Sequence, residues 1–309
     1  MEFRQLQYML KVAEEKSFSK AAQKLYIAQP SLSQYIQKLE QQLGVQLFDR
    51  STNPLRLTYA GELYAETAKK ILNLNVQLSN QMEDISNFKK GRLTIGLSPF
   101  RSAYIIPKVL PLFHKKFPGI DVVLVEGNSV KLEDLAVRGI TDISIMTLPV
   151  KDILFSYEPI FMENILLAIP PNHPVCKKTQ TNHQAAAYYT HSEISLHELR
   201  DEPFILLKQH QKLHQIAISL CKQAGFRPKI ILESESIEAT HALVSSGMGI
   251  AFIPDSITLF PQTSITPIYF VIKDLETTRT LVVAYIKKRY LSRAAKEFIT
   301  IMKDELSTF

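Results

Sequence analysis

The chain has 309 residues, enough for two or three domains with separate cores, and its 46% hydrophobic and 21% charged content exclude a disordered protein. The start, MEFRQLQYML, shows neither a basic leader with an apolar run nor a small-residue cleavage site, and no segment is long enough to span a bilayer, so a cytoplasmic protein without a membrane partner is expected. Cys176 and Cys221 are the only cysteines, which excludes a disulfide framework and a four-thiolate metal site and leaves a redox pair as the one thiol reading. A net charge of +6 and a pI near 9.1 permit a polyanionic partner without requiring one.

Phe3, Leu6, Leu10 and Ala13 recur at helical spacing and predict a first helix whose apolar face covers the next two. Within 18–37 two short helical patterns meet across a tight turn at Tyr26, Ile27 and Ala28. Ser19 is the expected N-cap of the first, and Ala21, Ala22 and Leu25 give it a small apolar face suited to close packing. Gln29 and Pro30 open the second, since proline is tolerated where a helix N–H has no partner anyway. Leu32, Ile36, Leu39 and Leu43 form its core stripe. Ser31, Gln34, Tyr35 and Lys38 line the opposite stripe, which carries hydrogen-bond donors and no carboxylate. A helix with Gln and Ser on its first turn can read base edges, with Lys38 reaching a phosphate; an ordinary helical hairpin is the alternative. The following run, VQLFDRSTNPLRLT, reads as strand, Pro-containing turn and strand, a β-wing with Arg50 and Arg56 at its base and flank.

AAQKLYIAQPSLSQYIQKLEQQLGVQLFDR followed by LTYAGE closely resembles the N-terminal winged helix-turn-helix of LysR-type transcriptional regulators. Matching positions include Ala21, Ala22, Gln29, Pro30, Ser33, Glu40, Gly44, Phe48, Arg50, Thr58 and Gly61. The resemblance places Gln29, Pro30, Ser33 and Gln34 at bases or adjacent phosphates and Arg50 on the backbone; with Ser19, Ser31, Lys38 and Arg56 these make up the expected DNA contacts. Position 34 is Gln where many members carry Arg, and Asn53, Pro54 and Leu55 stand where a Gly and a basic residue are common.

Tyr59 to Phe88 contains no Pro, and Ile71, Leu78 and Ile85 recur every seven residues with Leu74 and Phe88 alongside, predicting a rod of roughly 45 Å with a coiled-coil seam. In the family such a linker helix pairs two protomers, which implies a homodimer on a pseudo-palindromic double-stranded DNA site, a homotetramer by analogy, and contact with RNA polymerase. Beyond Gly91, strands and helices alternate in βαβαβ order, predicting a parallel sheet, with one helix from Ser102 to Phe117; a second such unit begins near Ile165. LTIGLS, DISI, LLAIPPNHP and VSSGMGIAFIP extend the resemblance to a two-lobed, periplasmic-binding-protein-like effector domain.

The expected architecture is therefore α/β overall: an all-α winged helix-turn-helix (1–58), a linker helix (59–90) and an effector domain (91–309). Its lobes are 91–163 with 266–309, and 164–265, and the chain crosses between them near Glu163 and Thr266. Ligands in open α/β sheets bind beyond the carboxyl ends of strands. That places Ser98, Pro99, Phe100, Arg101, Ser102, Asn128, Ser129, Thr147, Lys208 and Gln209 around a cleft floored in part by Met146. Arg101 and Lys208 favour an anion, so a small carboxylate effector is expected and no cofactor. The polar segment 175–202 reads as a surface loop, helical at QAAAYY. Its His183, His191 and His197 match no helical ligand pair, so no metal is expected. No P-loop, G-x-S-x-G or H-E-x-x-H motif suggests an enzyme.

Overall fold

The computed structural model describes residues 2–52, 54–86, 90–150, 153–178, 189–259 and 266–307. The chain divides into two compact units, one formed by the residues up to Arg92 with Val137–Ile140, the other by the remainder.

In the first unit, α1 (Phe3–Glu15), α2 (Phe18–Lys24) and α3 (Gln29–Leu43) share one core. α1 buries Leu6, Met9 and Val12, whereas Phe3 is about half exposed on the first turn. Ser17, not Ser19, caps α2: its backbone is extended and its Oγ accepts from the Lys20 N–H at 3.4 Å, leaving Ser19 exposed inside the first turn. Fully buried Ala21 and nearly buried Ala22 let α2 pack closely on its neighbours. α3 starts one residue before Pro30 and ends at Gly44, whose φ of +72° is the left-handed cap that glycine adopts without strain. Its stripe of Leu32, Ile36 and Leu39 is buried as expected, but Leu43 on the last turn is 41% exposed. Burial at that end passes to Glu40.

The wing is a two-stranded antiparallel ribbon, β1 (Phe48–Asp49) and β2 (Arg56–Leu57), paired Phe48 to Leu57 and Asp49 to Arg56. Asn53 at its tip lies outside the described residues. α4 (Tyr59–Ser86) follows as a 28-residue rod, and a Cβ on Gly61 would stand 1.9 Å from the Leu47 carbonyl oxygen, so glycine is required where the rod meets the wing. Leu63, Leu74, Leu78 and Met82 are exposed along α4; the Ile85 side chain and Phe88 lie outside the described residues.

The second unit begins with β3 (Gly91–Leu97), α5 (Pro99–Tyr104), α6 (Ile106–Lys116), β4 (Ile120–Glu126), α7 (Ser129–Val137), β5 (Ile143–Thr147) and the 15-residue β6 (Phe155–Ile169). The single helix expected from Ser102 is broken at Ile105 into α5 and α6. After β6 come α8 (Pro174–Lys178), β7 (Tyr189–Ile194), β8 (Pro203–Leu207), α9 (Lys212–Gln223), β9 (Lys229–Ser234), α10 (Ile237–Ser245), β10 (Ala251–Pro254), β11 (Ile268–Ile272), β12 (Thr278–Ile286) and α11 (Arg293–Leu306). Thus 189–194, expected as loop, is strand; His183 and most of QAAAYY lie outside the described residues.

The main sheet runs β4-β3-β5-β12-β6-β11-β7, with β10 also on β6, and β8 and β9 form a separate parallel pair. β3 and β5 are parallel, but β12 is antiparallel to both β5 and β6, which corrects the purely parallel expectation. β6 explains the two lobes. Its first part pairs with β12 as far as Asn164, and from Ile165 it pairs with β10 and β11, so the change of partner falls beside Glu163. β11 still belongs to the second lobe through its pairing with β7, so the return crossing falls at 273–277 and not near Thr266.

Candidate functional site

On the head, Gln29, Pro30, Ser31, Gln34 and Lys38 are exposed and Ser33 is half-buried, so one face of α3 presents amide, hydroxyl and ammonium groups. Tyr35 does not join them. Its phenol donates to Glu2 Oε2 at 3.0 Å and its ring meets Tyr8 edge-on at 5.1 Å, so it fastens α3 to α1. Arg50 is also partly engaged: its Nη2 donates to Glu40 Oε2 at 2.9 Å, and its guanidinium lies 5.4 Å from the Phe18 ring centre. The other Glu40 oxygen accepts the Leu47 and Phe48 N–H groups at 2.8 and 3.2 Å. Glu40 therefore ties the end of α3 to the first wing strand, with two orphan backbone donors satisfied by one buried carboxylate. Arg56 is exposed on β2. In the turn between α2 and α3, Tyr26 is 95% exposed at φ +55°, and nothing in the hydrophobic pattern singled it out.

In the second unit a cleft of about 90 Å³ gathers Ser98, Phe100, Arg101, Asn128, Ser129, Met146 and Thr147 from the first lobe, as the sequence predicts. Pro99, Ser102, Lys208 and Gln209 do not line it. β8 ends at Leu207, and 208–211 form a turn in which the Gln211 N–H donates to the Lys208 carbonyl, so Gln211 and Lys212 reach the cleft instead. Leu207, Leu213, Ile237, Arg279 and Leu281 complete much of the wall and were not anticipated. Two predicted residues act as helix starters: Ser98 Oγ accepts from the Arg101 N–H at 3.3 Å and Asn128 Oδ1 from the Lys131 N–H at 2.9 Å. Lys212, the first residue of α9, donates through Nζ to the Thr147 and Pro149 carbonyls at 2.5 and 2.7 Å, joining one lobe to the other.

Arg101 corrects the expectation of a cation held ready for a ligand. It is buried, with Nη2 hydrogen-bonded to Glu163 Oε1 and Nη1 3.2 Å from Ser256 Oγ. Arg279 Nε donates to Glu163 Oε1 at 2.7 Å and Ser256 Oγ to Glu163 Oε2 at 2.8 Å. Burial alone would push the Glu163 carboxyl up, but the guanidiniums of Arg101 and Arg279 and the hydrogen bonds outweigh it and hold the group down at about 2. Asp255, which accepts from Asn164, also acts on Arg279, so the two guanidiniums have two carboxylates beside them. Lys212 also lines the cleft, and among the described residues no carboxylate does.

Cys176 and Cys221 are buried, and burial pushes their thiols up to about 11 and about 12, so neither is a reactive thiolate near neutral pH. His197 is occupied by the Ala224 carbonyl at 3.0 Å and by Arg200 at 2.8 Å, and among the described residues no group of three or more His, Cys, Asp or Glu is placed to hold a metal ion. Among the same residues no helix is long and apolar enough to cross a membrane.

A winged helical head joined in one chain to a two-lobed sheet with a polar cleft defines a DNA-binding regulator with a ligand domain. Comparison with known proteins gives the family. Residues 3–62 match the bacterial regulatory helix-turn-helix protein, LysR family, and residues 86–307 match the LysR substrate binding domain. The chain is 31% identical to the uncharacterized HTH-type transcriptional regulator YcgK of Bacillus subtilis, over 99% of this chain and 95% of that protein. It is likewise 31% identical to the regulator AlsR of the same organism, over 97% and 95%. Full-length CbnR, solved with its target DNA, shares the fold with a TM-score of 0.73 at 22% identity, over 99% of this chain and 100% of that one. The chain belongs to the LysR family of transcriptional regulators; it is a DNA-binding regulator and not an enzyme.

Proposed function

We propose that this regulator responds to a small carboxylate held between its lobes and that it works in the cytoplasm as a dimer joined through α4. The observation that carries the effector class is the cleft lining: Lys212 and the edges of the Glu163-paired Arg101 and Arg279 are basic, Ser98, Asn128, Ser129 and Thr147 supply hydrogen-bonding groups, and among the described residues no lining residue is acidic. A carboxylate there forms charge-assisted hydrogen bonds without facing a like charge. Exposed Leu63, Leu74, Leu78 and Met82 give α4 an apolar line of the kind that a second copy covers, and two heads then read two half-sites of a pseudo-palindrome. Gln29, Pro30, Ser31, Ser33 and Gln34 face the bases or adjacent phosphates, while Ser19, Lys38, Arg50 and Arg56 meet the backbone. The effector acts by preferring one arrangement of the lobes and so shifting the spacing of the heads.

Fluorescence anisotropy on a promoter fragment from beside the gene tests the head, and calorimetric titration of organic acids tests the cleft. Gln34→Ala should weaken specific DNA binding about tenfold while leaving acid binding unchanged, the reach of one lost base contact of 1–3 kcal/mol. Unchanged DNA affinity in this variant would remove α3 as the reading helix. Binding of only neutral or cationic compounds would remove the carboxylate.

A further inference from the structure

On the head, a polar groove of about 430 Å³ lies between the second half of α3 and the start of the wing, lined by Gln37, Glu40, Gln41, Gln46 and Arg50 among others. Helical geometry sets the face on which it opens. Seven residues advance an α-helix by about 10.5 Å and return it to within about 20° of the same face, so Gln37 follows Pro30 and Gln41 follows Gln34 along α3. The groove therefore continues the donor-bearing face beyond the residues assigned to bases. Gln37, Gln41 and Gln46 are exposed, and among the described residues their side-chain amides take no hydrogen bond. Arg50 Nη2 donates to Glu40 Oε2 at 2.9 Å, and its other N–H groups have no acceptor among the described residues. Glu40 does not face the groove as a bare charge: one oxygen takes the Leu47 and Phe48 N–H groups and the other takes Arg50.

We propose that this groove seats a phosphate of the DNA backbone, with the amides of Gln37, Gln41 and Gln46 and the unused edge of Arg50 as its donors. A recognition helix presents its N-terminal residues to base edges, and the major groove is about 8.5 Å deep. Side chains about 10 Å further along the helix have left the floor of the groove and stand beside its phosphate wall. The chemistry agrees with that position. Phosphate oxygens accept several hydrogen bonds at once, which suits four donor-bearing side chains around one groove, and hydrogen bonds to a charged oxygen are the stronger kind. Glu40 is the positioning residue: it holds the guanidinium at the rim and ties the wing strand to α3 with the same carboxylate. This inference rests on α3 as the reading helix and adds a sequence-independent contact that fixes the register of the head on the duplex.

Fluorescence anisotropy of the full-length protein tests it, on a promoter fragment from beside the gene and on an unrelated duplex of equal length, from about 50 to about 200 mM salt. Gln37→Ala and Gln41→Ala trim exposed side chains that hold nothing within the described fold, so the head stays folded. Each should weaken both duplexes by the same factor, about tenfold or more, and leave the salt dependence unchanged, because a neutral amide displaces no counterion. Arg50→Ala should weaken both duplexes and also reduce the salt slope by about one per head. Gln34→Ala should weaken the promoter fragment alone. Unchanged affinity for both duplexes in the Gln37 and Gln41 variants would overturn the phosphate seat. So would a loss confined to the promoter fragment, which marks a groove that reads bases; either result leaves α3 standing as the reading helix. If Gln34→Ala changes nothing as well, the reading helix and the seat fall together.

Discussion

Replacing Glu163 by Gln preserves the shape of the side chain and removes its charge from a site with no exposure to water. Arg101 and Arg279 then face each other with only a neutral amide between them, and Ser256 keeps a weaker acceptor. Breaking a buried ion pair from one side costs about 3–5 kcal/mol because the surviving charge stays desolvated. A domain is typically stable by about 5–15 kcal/mol, so the variant should lose roughly a fifth or more of its margin. With a urea slope of about 2 kcal/mol per molar, the transition of the ligand-binding unit should move down by roughly 2 M. The chain contains no tryptophan, so circular dichroism is the suitable probe. The pH arm has a defined sign. The folded carboxyl titrates at about 2, below its ordinary 4.5, so its stabilisation is complete above pH 4.5 and declines as pH falls towards 2. Between pH 4.5 and 3 the gap between wild type and variant should close by about 2 kcal/mol. A midpoint change below about 0.5 M at pH 7, or a gap of the same size at pH 3, would refute the view that Glu163 holds the two arginines.

The head offers a contrast between two partners of one contact. Glu40→Ala leaves the buried Leu47 and Phe48 N–H groups without their acceptor and should cost about 2–5 kcal/mol, read in the thermal melting of the head. Arg50→Ala removes a half-exposed ion-pair partner and should cost under about 1 kcal/mol while still weakening DNA binding in an anisotropy titration; equal losses of stability would show that Glu40 serves only Arg50. Leu78→Lys places a charge on the exposed line of α4 and should give a monomer by light scattering at micromolar concentration, whereas an unchanged dimer would remove α4 as the joint. His241 is buried with its Nε2 2.6 Å from the Tyr269 hydroxyl, and burial lowers its pKa below 6.5. It therefore imposes no penalty above pH 6.5 and destabilises the fold increasingly as pH falls below that value, where the unfolded chain takes a proton more readily. An NMR titration that finds the His241 imidazole protonating at or above 6.5 would contradict this.

What the sequence reveals and what it hides divide along the range of the interactions involved. The reading helix is legible because its determinants are neighbours: Pro30 just inside its start, Leu32, Ile36 and Leu39 at helical spacing, Gly44 at its end. Ser98 and Asn128 are legible for the same reason, since each follows a strand and caps the helix after it. Glu40 is not. In the helical pattern it reads as a surface carboxylate, and its burial is explained only by backbone donors seven and eight residues further on. Arg101 shows the same limit at longer range: position identified it as a cation beside a cleft, but the carboxylate that occupies it lies 62 residues away and the hydroxyl 155. Arg279 and Lys212 went unnoticed because neither lies in a strand-to-helix loop: Lys212 falls just past the loop that carries Lys208 and Gln209, and Arg279 lies within a strand. One enters from the antiparallel β12 and the other from the first residue of α9, and both depend on where the chain crosses between lobes. Glu163 joins these two levels. Its place at the crossing was read from sequence, but its task follows from the return strand, because β12 brings Arg279 directly opposite it in register. A carboxylate in the middle of a long apolar strand is costly unless paired, and β12 supplies the pair only once both crossings are made. The residues that set the charge of the cleft are therefore the ones whose environment exists only in the completed two-lobed fold.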